Sequence, residues 1–147
     1  DRSMTPEETA RACAARMLEK DAASAGLGIG LVDVGPGSAT LSMRVRADML
    51  NAHGLCHGGF IFTLADSAFA YACNSRDVST LAQQCSINFL APGREGDVLE
   101  ARAREVALAG RSGVYDVTIL RQGGETIAEF RGLSRAIGGN PLPQAQR

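Results

Sequence analysis

The residues with the most chemical promise stand between Asn51 and Asp66, in the run Asn-Ala-His-Gly-Leu-Cys-His-Gly-Gly-Phe-Ile-Phe-Thr-Leu-Ala-Asp. Gly58 and Gly59 open a strongly apolar segment that continues to Cys73. If that segment is a helix, its first backbone N–H groups are unpaired and the helix dipole adds positive potential there. A residue with no side chain lets a ligand oxygen come close to those groups. This is the chemistry of an oxyanion or carbonyl site. The same glycines could instead serve only to relieve crowding at the helix start.

Asp66 shifts the balance toward chemistry. Asp is a poor helix former, and the helical neighbours three and four positions away are Phe62, Thr63, Phe69 and Ala70. A carboxylate among phenylalanines is costly unless it is paired or used, and burial raises its pKa, which suits a base or a nucleophile. The bland alternative is an Asp that caps a loop or bonds to a hydroxyl such as that of Thr63. Gly58 and Asp66 are also eight residues apart, roughly 12 Å along a helix. A carbonyl held at Gly58 therefore cannot lie within roughly 3.5 Å of Asp66 in the same chain. If both serve one reaction, they come from two copies, with antiparallel helices across a two-fold axis.

Other chemistries find little support. The only histidines are His53 and His57, and no Ser-His-Asp spacing, nucleotide-binding glycine loop or Gly-x-Ser-x-Gly elbow is present. His53, Cys56 and His57 lack a fourth ligand at usable spacing, so no metal site is expected.

The elements that must position this stretch follow from periodicity. Thr5-Pro6-Glu7-Glu8 reads as a helix start with a capping box, and that helix is expected to run to Ala25-Gly26. From Gly28 the period changes. Ile29, Leu31 and Val34 lead to a Gly35-Pro36-Gly37 turn, and Leu41, Met43 and Val45 then alternate with Ser42, Arg44 and Arg46. This is a hairpin with one wet face. The segment from Phe60 to Cys73 holds four of the seven aromatics and is apolar nearly all round, as a buried helix is; Asn74 and Ser75 end it. Four strand-like segments follow, the first with Leu81, Gln83, Cys85, Ile87 and Phe89 on one face. The order is helix, two strands, buried helix, four strands. The fold class is α+β, a long buried helix wrapped by an antiparallel sheet of about six strands, with an extra N-terminal helix. The organisation is a helical segment over 1–27, a single domain over 28–138 and a loose tail over 139–147.

Composition narrows the class further. The chain has 147 residues, 45% hydrophobic and 21% charged, with a formal net charge of -1. That is one globular domain with no overall attraction for nucleic acid or an acidic membrane. No run of apolar residues is long enough to span a bilayer, and Asp1-Arg2-Ser3 carries no apolar signal region. Four cysteines without Cys-x-x-Cys spacing suit reduced thiols and a cytoplasmic location.

Asn51-x5-His57-Gly58-Gly59-x6-Asp66, on one buried helix within this strand order, resembles the hotdog-fold acyl-CoA thioesterases, and in particular the phenylacetic-acid-degradation branch. The runs Ala65 to Asn74, Asn88 to Gly93, Gly96-Asp97 and Tyr115-Asp116-Val117 look like the same branch, and the resemblance covers roughly 28–138. It implies a hotdog fold and hydrolysis of acyl-CoA thioesters, with water as the only co-reactant and no cofactor. It implies Asp66 as base or nucleophile, the Gly58 amide polarising the thioester carbonyl, Asn51 orienting the carbonyl or the water, and His57 bonding nearby backbone. It further implies a homodimer or a dimer of dimers. Some related branches place Ser or Thr beside the base, where this chain has Ala70 and Ala82; both routes stay open, the missing hydroxyl leaning toward a transient mixed anhydride over a general-base route.

The substrate's two ends are less strongly marked. Phe62 and Phe69, one turn either side of Asp66, could stack on an aromatic acyl group. With the resemblance, this points to aryl-acetyl groups such as phenylacetyl or hydroxyphenylacetyl. Arg94 and Arg111 are reasonable partners for coenzyme A phosphates. Two rival readings remain at this stage: a hotdog hydratase or dehydratase using His57 with an acid, and a non-catalytic acyl-CoA binding protein.

Overall fold

The computed structural model describes residues 3–147; Asp1 and Arg2, part of the start where no signal region is expected, lie outside the described residues. Helix α1 (Pro6–Leu18) starts as its sequence dictates. The Glu8 amide donates to Thr5 Oγ1 at 3.1 Å and the Thr5 amide to Glu8 Oε1 at 2.8 Å, a complete capping box. The helix does not continue to Gly26. It stops at Leu18, and a short α2 (Ala22–Gly26) restarts from Asp21. Asp21 accepts from the Ser24 amide and hydroxyl, at 3.0 and 2.7 Å, and from the Tyr71 hydroxyl at 3.0 Å. An Asp so engaged caps a new helix in preference to extending an old one.

Six strands, β1 (Gly30–Gly35), β2 (Ser38–Arg44), β3 (Thr80–Phe89), β4 (Val98–Ala109), β5 (Ser112–Arg121) and β6 (Thr126–Ala136), form one sheet in the order β1-β2-β4-β5-β6-β3. Every neighbouring pair is antiparallel. The inward residues Leu41, Met43, Leu99, Ala101, Val117, Ile119, Ala128 and Phe130 are buried. Helix α3 (Gly58–Cys73) lies across them, chiefly over β2, β4 and β5. It turns Ile61, Leu64, Ala65, Ala68, Phe69 and Ala72 to the sheet. This is the hotdog architecture. At Gly132 the sheet lacks a side chain because a Cβ there would fall 2.7 Å from the Phe69 ring, so Phe69 packs directly on the β6 backbone.

Because α3 is centred away from β3, the inner face of that edge strand is only partly covered. A register shift between Ala82 and Gln84 makes Gln83 the extra residue of a bulge. The bulge breaks the expected single face: Ala82, not Leu81, shares the inner side with Cys85, Ile87 and Phe89, opposite Ser134, Gly132, Phe130 and Ala128. The tail also differs from expectation. Leu142 is 2% exposed, its amide donates to Asp77 Oδ1 at 2.9 Å, and Asn140 Nδ2 donates to the Asp77 carbonyl at 2.6 Å. A buried leucine and two hydrogen bonds hold what composition alone reads as loose.

Candidate functional site

The connection before α3 is built to hold the helix start in place. Asn51 Oδ1 accepts from the His53 and Leu55 amides, at 2.9 and 3.1 Å, and the Asn51 amide donates to the Leu55 carbonyl at 2.8 Å. The Cys56 amide donates to the Gly93 carbonyl and the His57 amide to the Met49 carbonyl, each at 2.8 Å. His57 is the N-cap: its Nδ1 accepts from the Gly59 amide at 2.9 Å and its carbonyl from the Phe60 amide at 3.0 Å. Of the first amides of α3, that of Gly58 has no acceptor among the described residues. An unengaged N–H at a helix start, on a residue without a side chain, can receive a carbonyl oxygen. With its oxygen committed to the loop, Asn51 has only its amide nitrogen to offer a ligand.

Asp66 sits two turns along the same helix. Positions 58, 62, 66 and 70 recur every four residues and form a half-buried stripe beside the sheet-facing residues. No side chain or amide among the described residues hydrogen-bonds to Asp66. The Thr63 hydroxyl donates instead to the Gly59 carbonyl at 2.9 Å, which removes the bland reading. Burial pushes the Asp66 carboxyl above the ordinary carboxylate range. Burial also raises the Cys85 thiol on β3, and the Asp66 charge adds to that rise. Asp21 is the opposite case. Burial alone would raise it, but hydrogen bonds from Ser24 and Tyr71 outweigh that and hold it low.

The expected substrate contacts separate. Phe62 is half-buried, with its ring edge-on to Phe130 at 5.5 Å between centroids, and keeps an open side. Phe69 does not. It is 0% exposed and packed on Tyr115, Phe130 and Gly132, at 5.6 Å from the first ring and 5.8 Å from the second. Phe69 is core and has no face for an acyl group. Arg94 is exposed in the turn next to Gly93, near the start of α3. Arg111 is tied back, with Nε and Nη2 donating to the Ala136 carbonyl at 3.1 and 2.9 Å, beside a small cleft that Cys73 also lines. The two arginines lie near opposite ends of α3 and are not brought together. Sequence reasoning missed the contact of the Phe89 ring with Gly58; the two are 31 positions apart, and only the pairing of β3 with β6 fixes their approach.

The Thioesterase superfamily matches residues 53–128, which include the capped start of α3 and Asp66. The chain is 48% identical over 129 residues to the acyl-coenzyme A thioesterase PaaI of Escherichia coli K12, spanning 88% of this chain and 92% of that protein. The structure of the E. coli PaaI protein from the phenylacetic acid degradation operon is similar with a TM-score of 0.91 at 45% identity, covering 92% of this chain and 99% of that one. The smu.793 protein of Streptococcus mutans UA159, solved bound to acetyl CoA, is similar with a TM-score of 0.73 at 29% identity, over 76% of this chain and 90% of that one. The chain belongs to the thioesterase superfamily, as a hotdog-fold acyl-CoA thioesterase of the phenylacetic-acid-degradation type.

Proposed function

We propose that this thioesterase hydrolyses aryl-acetyl-CoA, such as phenylacetyl-CoA or a hydroxyphenylacetyl-CoA, in preference to long aliphatic thioesters, at sites shared between two copies of the chain. The observation that carries the proposal is the pairing of an unengaged Gly58 amide with a half-buried, unpartnered Asp66 on one helical stripe. The thioester oxygen accepts from the Gly58 N–H, which stabilises the charge that develops there. The Asp66 carboxylate of a second copy attacks the carbonyl carbon and the coenzyme A thiolate leaves. Water then opens the mixed anhydride, releasing the free acid and regenerating the carboxylate. Ala70 and Ala82 offer no hydroxyl to anchor a water for direct general-base attack, which favours this route. The Asn51 amide nitrogen orients the carbonyl. His57 Nδ1 is committed to the Gly59 amide, which argues against the acid–base role a hydratase needs. No cofactor enters; water is the second substrate.

The dimer is supported by the edge strand. β3 pairs with β6 on one side only, and Leu81 and Leu90 are exposed along or just beyond it. Joining two such edges antiparallel covers apolar surface and sets two α3 helices head to tail. A dimer of dimers follows the same pattern. Arg94, nearer the start of α3, is the better placed of the two arginines for coenzyme A phosphates. Cys13, Cys56, Cys73 and Cys85 are free thiols, the state a reducing cytoplasm maintains, and the proposal places the enzyme there. Among the described residues no helix is long and apolar enough to cross a membrane.

Thiol release from phenylacetyl-, hydroxyphenylacetyl-, hexanoyl- and palmitoyl-CoA tests the proposal. The aryl-acetyl substrates should lead in kcat/KM, and Asp66→Asn should lose at least about 10²-fold in kcat while still binding substrate. Palmitoyl-CoA leading the series overturns the aryl preference, and near-normal kcat in a folded Asp66→Asn removes Asp66 from the reaction.

A further inference from the structure

Phe89 ends β3 and is the exposed member of the five phenylalanines, at 52%; Phe69 and Phe130 are buried, and Phe60 and Phe62 are half-buried. The far end of its ring rests against the start of α3. A Cβ placed on Gly58 would lie 2.9 Å from Phe89 Cζ, 3.2 Å from Cε1 and 3.4 Å from Cε2. Paired backbone holds the strand end that carries the ring. Phe89 is opposite Ala128 in the β3–β6 ladder, and the Leu90 and Ala91 amides both donate to the Ile127 carbonyl, at 2.8 and 3.1 Å. The ring therefore stands on a held strand end, its far edge against a bare Cα and much of the rest exposed.

The bare Cα belongs to the residue whose amide has no acceptor among the described residues. A carbonyl oxygen bound there sits about 2.9 Å from the nitrogen, which leaves the reacting carbon and its first substituents within roughly 4–6 Å of it. A ring touching the Gly58 Cα lies inside that reach. We infer that Phe89 is a specificity-determining wall of the acyl site, an aromatic face on which an aryl-acetyl group packs while Gly58 holds its carbonyl. This rests on the reading of the Gly58 amide as the carbonyl site. It also gives the aryl preference an aromatic surface that the buried Phe69 cannot supply. A second consequence concerns Gly58: the absence of its side chain gives the ring its seat as well as giving the oxygen its approach.

The test compares Phe89→Leu and Phe89→Ala with the unmodified enzyme on phenylacetyl-CoA and hexanoyl-CoA, with light scattering on each protein. Phe89→Leu keeps apolar bulk and removes only the aromatic face, so it guards against a variant that fails to fold. The ratio of kcat/KM for phenylacetyl-CoA over hexanoyl-CoA should fall about threefold to tenfold in both variants, with assembly unchanged. Equal losses on both substrates would overturn the proposal, because the ring would then meet the coenzyme A arm or only support the fold. An unchanged ratio with a changed assembly would overturn it in favour of a subunit contact. Either result leaves the catalytic reading standing if the unmodified enzyme releases thiol. No thiol release from either substrate by the unmodified enzyme overturns both.

Discussion

The two ends of α3 are finished in opposite ways. At the C-terminal end almost every polar group is closed off. Asn74 Nδ2 donates to the Ala70 and Thr80 carbonyls at 2.9 and 3.0 Å, and Asn74 Oδ1 accepts from the Thr80 amide at 2.9 Å. The Ser75 hydroxyl donates to the Ala72 carbonyl at 2.7 Å and accepts from the Gly37 amide at 2.8 Å. At the N-terminal end His57 closes the Gly59 amide and leaves its neighbour open, two glycines replace side chains, and a half-exposed phenylalanine stands alongside. The helix ends alike in backbone terms, with orphan groups at each. The end that is satisfied locks the helix to the β1–β2 turn and to β3. The end that is left unsatisfied can bind.

The comparison can be broken first at the open end. Gly58→Pro suits the first position of a helix, since the ring fixes a helical φ and His57 already holds the extended ψ of 132° that a following proline requires. It removes the amide hydrogen. Gly58→Ala adds the same crowding against Phe89 but keeps the hydrogen. Steady-state kinetics should show kcat for the proline variant about 10²–10³-fold below that for the alanine variant. Equal activities would mean that the glycine only makes room. At the closed end, Asn74→Ala should cost about 1–3 kcal/mol by urea unfolding, because it strands the Thr80 amide. Activity per folded molecule should stay within about twofold of the unmodified enzyme; a 10²-fold loss in kcat there would erase the division of roles.

The smallest effect sharpens the contrast between Asp66 and the well-bonded Asp21. A carboxyl whose pKa is raised by folding contributes stability below its unfolded value and loses it as pH rises through the folded value. Asp66→Asn should therefore raise Tm at neutral pH, where the carboxylate is charged and half-buried, and the gain should vanish near about pH 3. Asp21 has the opposite sign: its contribution is present above its unfolded value and is lost as pH falls through its lowered one. An Asp66→Asn variant less stable than the parent at pH 7 would mean that Asp66 has a partner.

The parts of this account that were legible in the sequence are those carried by neighbours along the chain. Thr5 and Glu8 announce their capping box, the alternation from Leu41 to Val45 announces a strand with one wet face, and Asp66 stands out because it contradicts its own segment. The parts that were not legible depend on approach across the sheet. Phe62 and Phe69 each lie one turn from Asp66, but the room that Gly132 leaves for the Phe69 ring in the core shows only when β6 is in place. The bulge at Gln83 moves Leu81 off the face it would otherwise share with Phe89. Leu142 reads as tail because its anchor, Asp77, is 65 positions away.

Gly58 and Asp66 stand roughly 12 Å apart on one helix, so the central claim is that each site takes one residue from each of two copies. Mixing Asp66→Asn chains with Gly58→Pro chains, under conditions that let subunits exchange, tests it most directly by thiol release from phenylacetyl-CoA. Each protein alone should be nearly inactive. Random exchange makes half of the dimers hybrids with one intact site of two, so activity should return to about a quarter of the unmodified level. Hybrids shown to have formed but remaining inactive would place Gly58 and Asp66 of the same chain in one site and contradict the account.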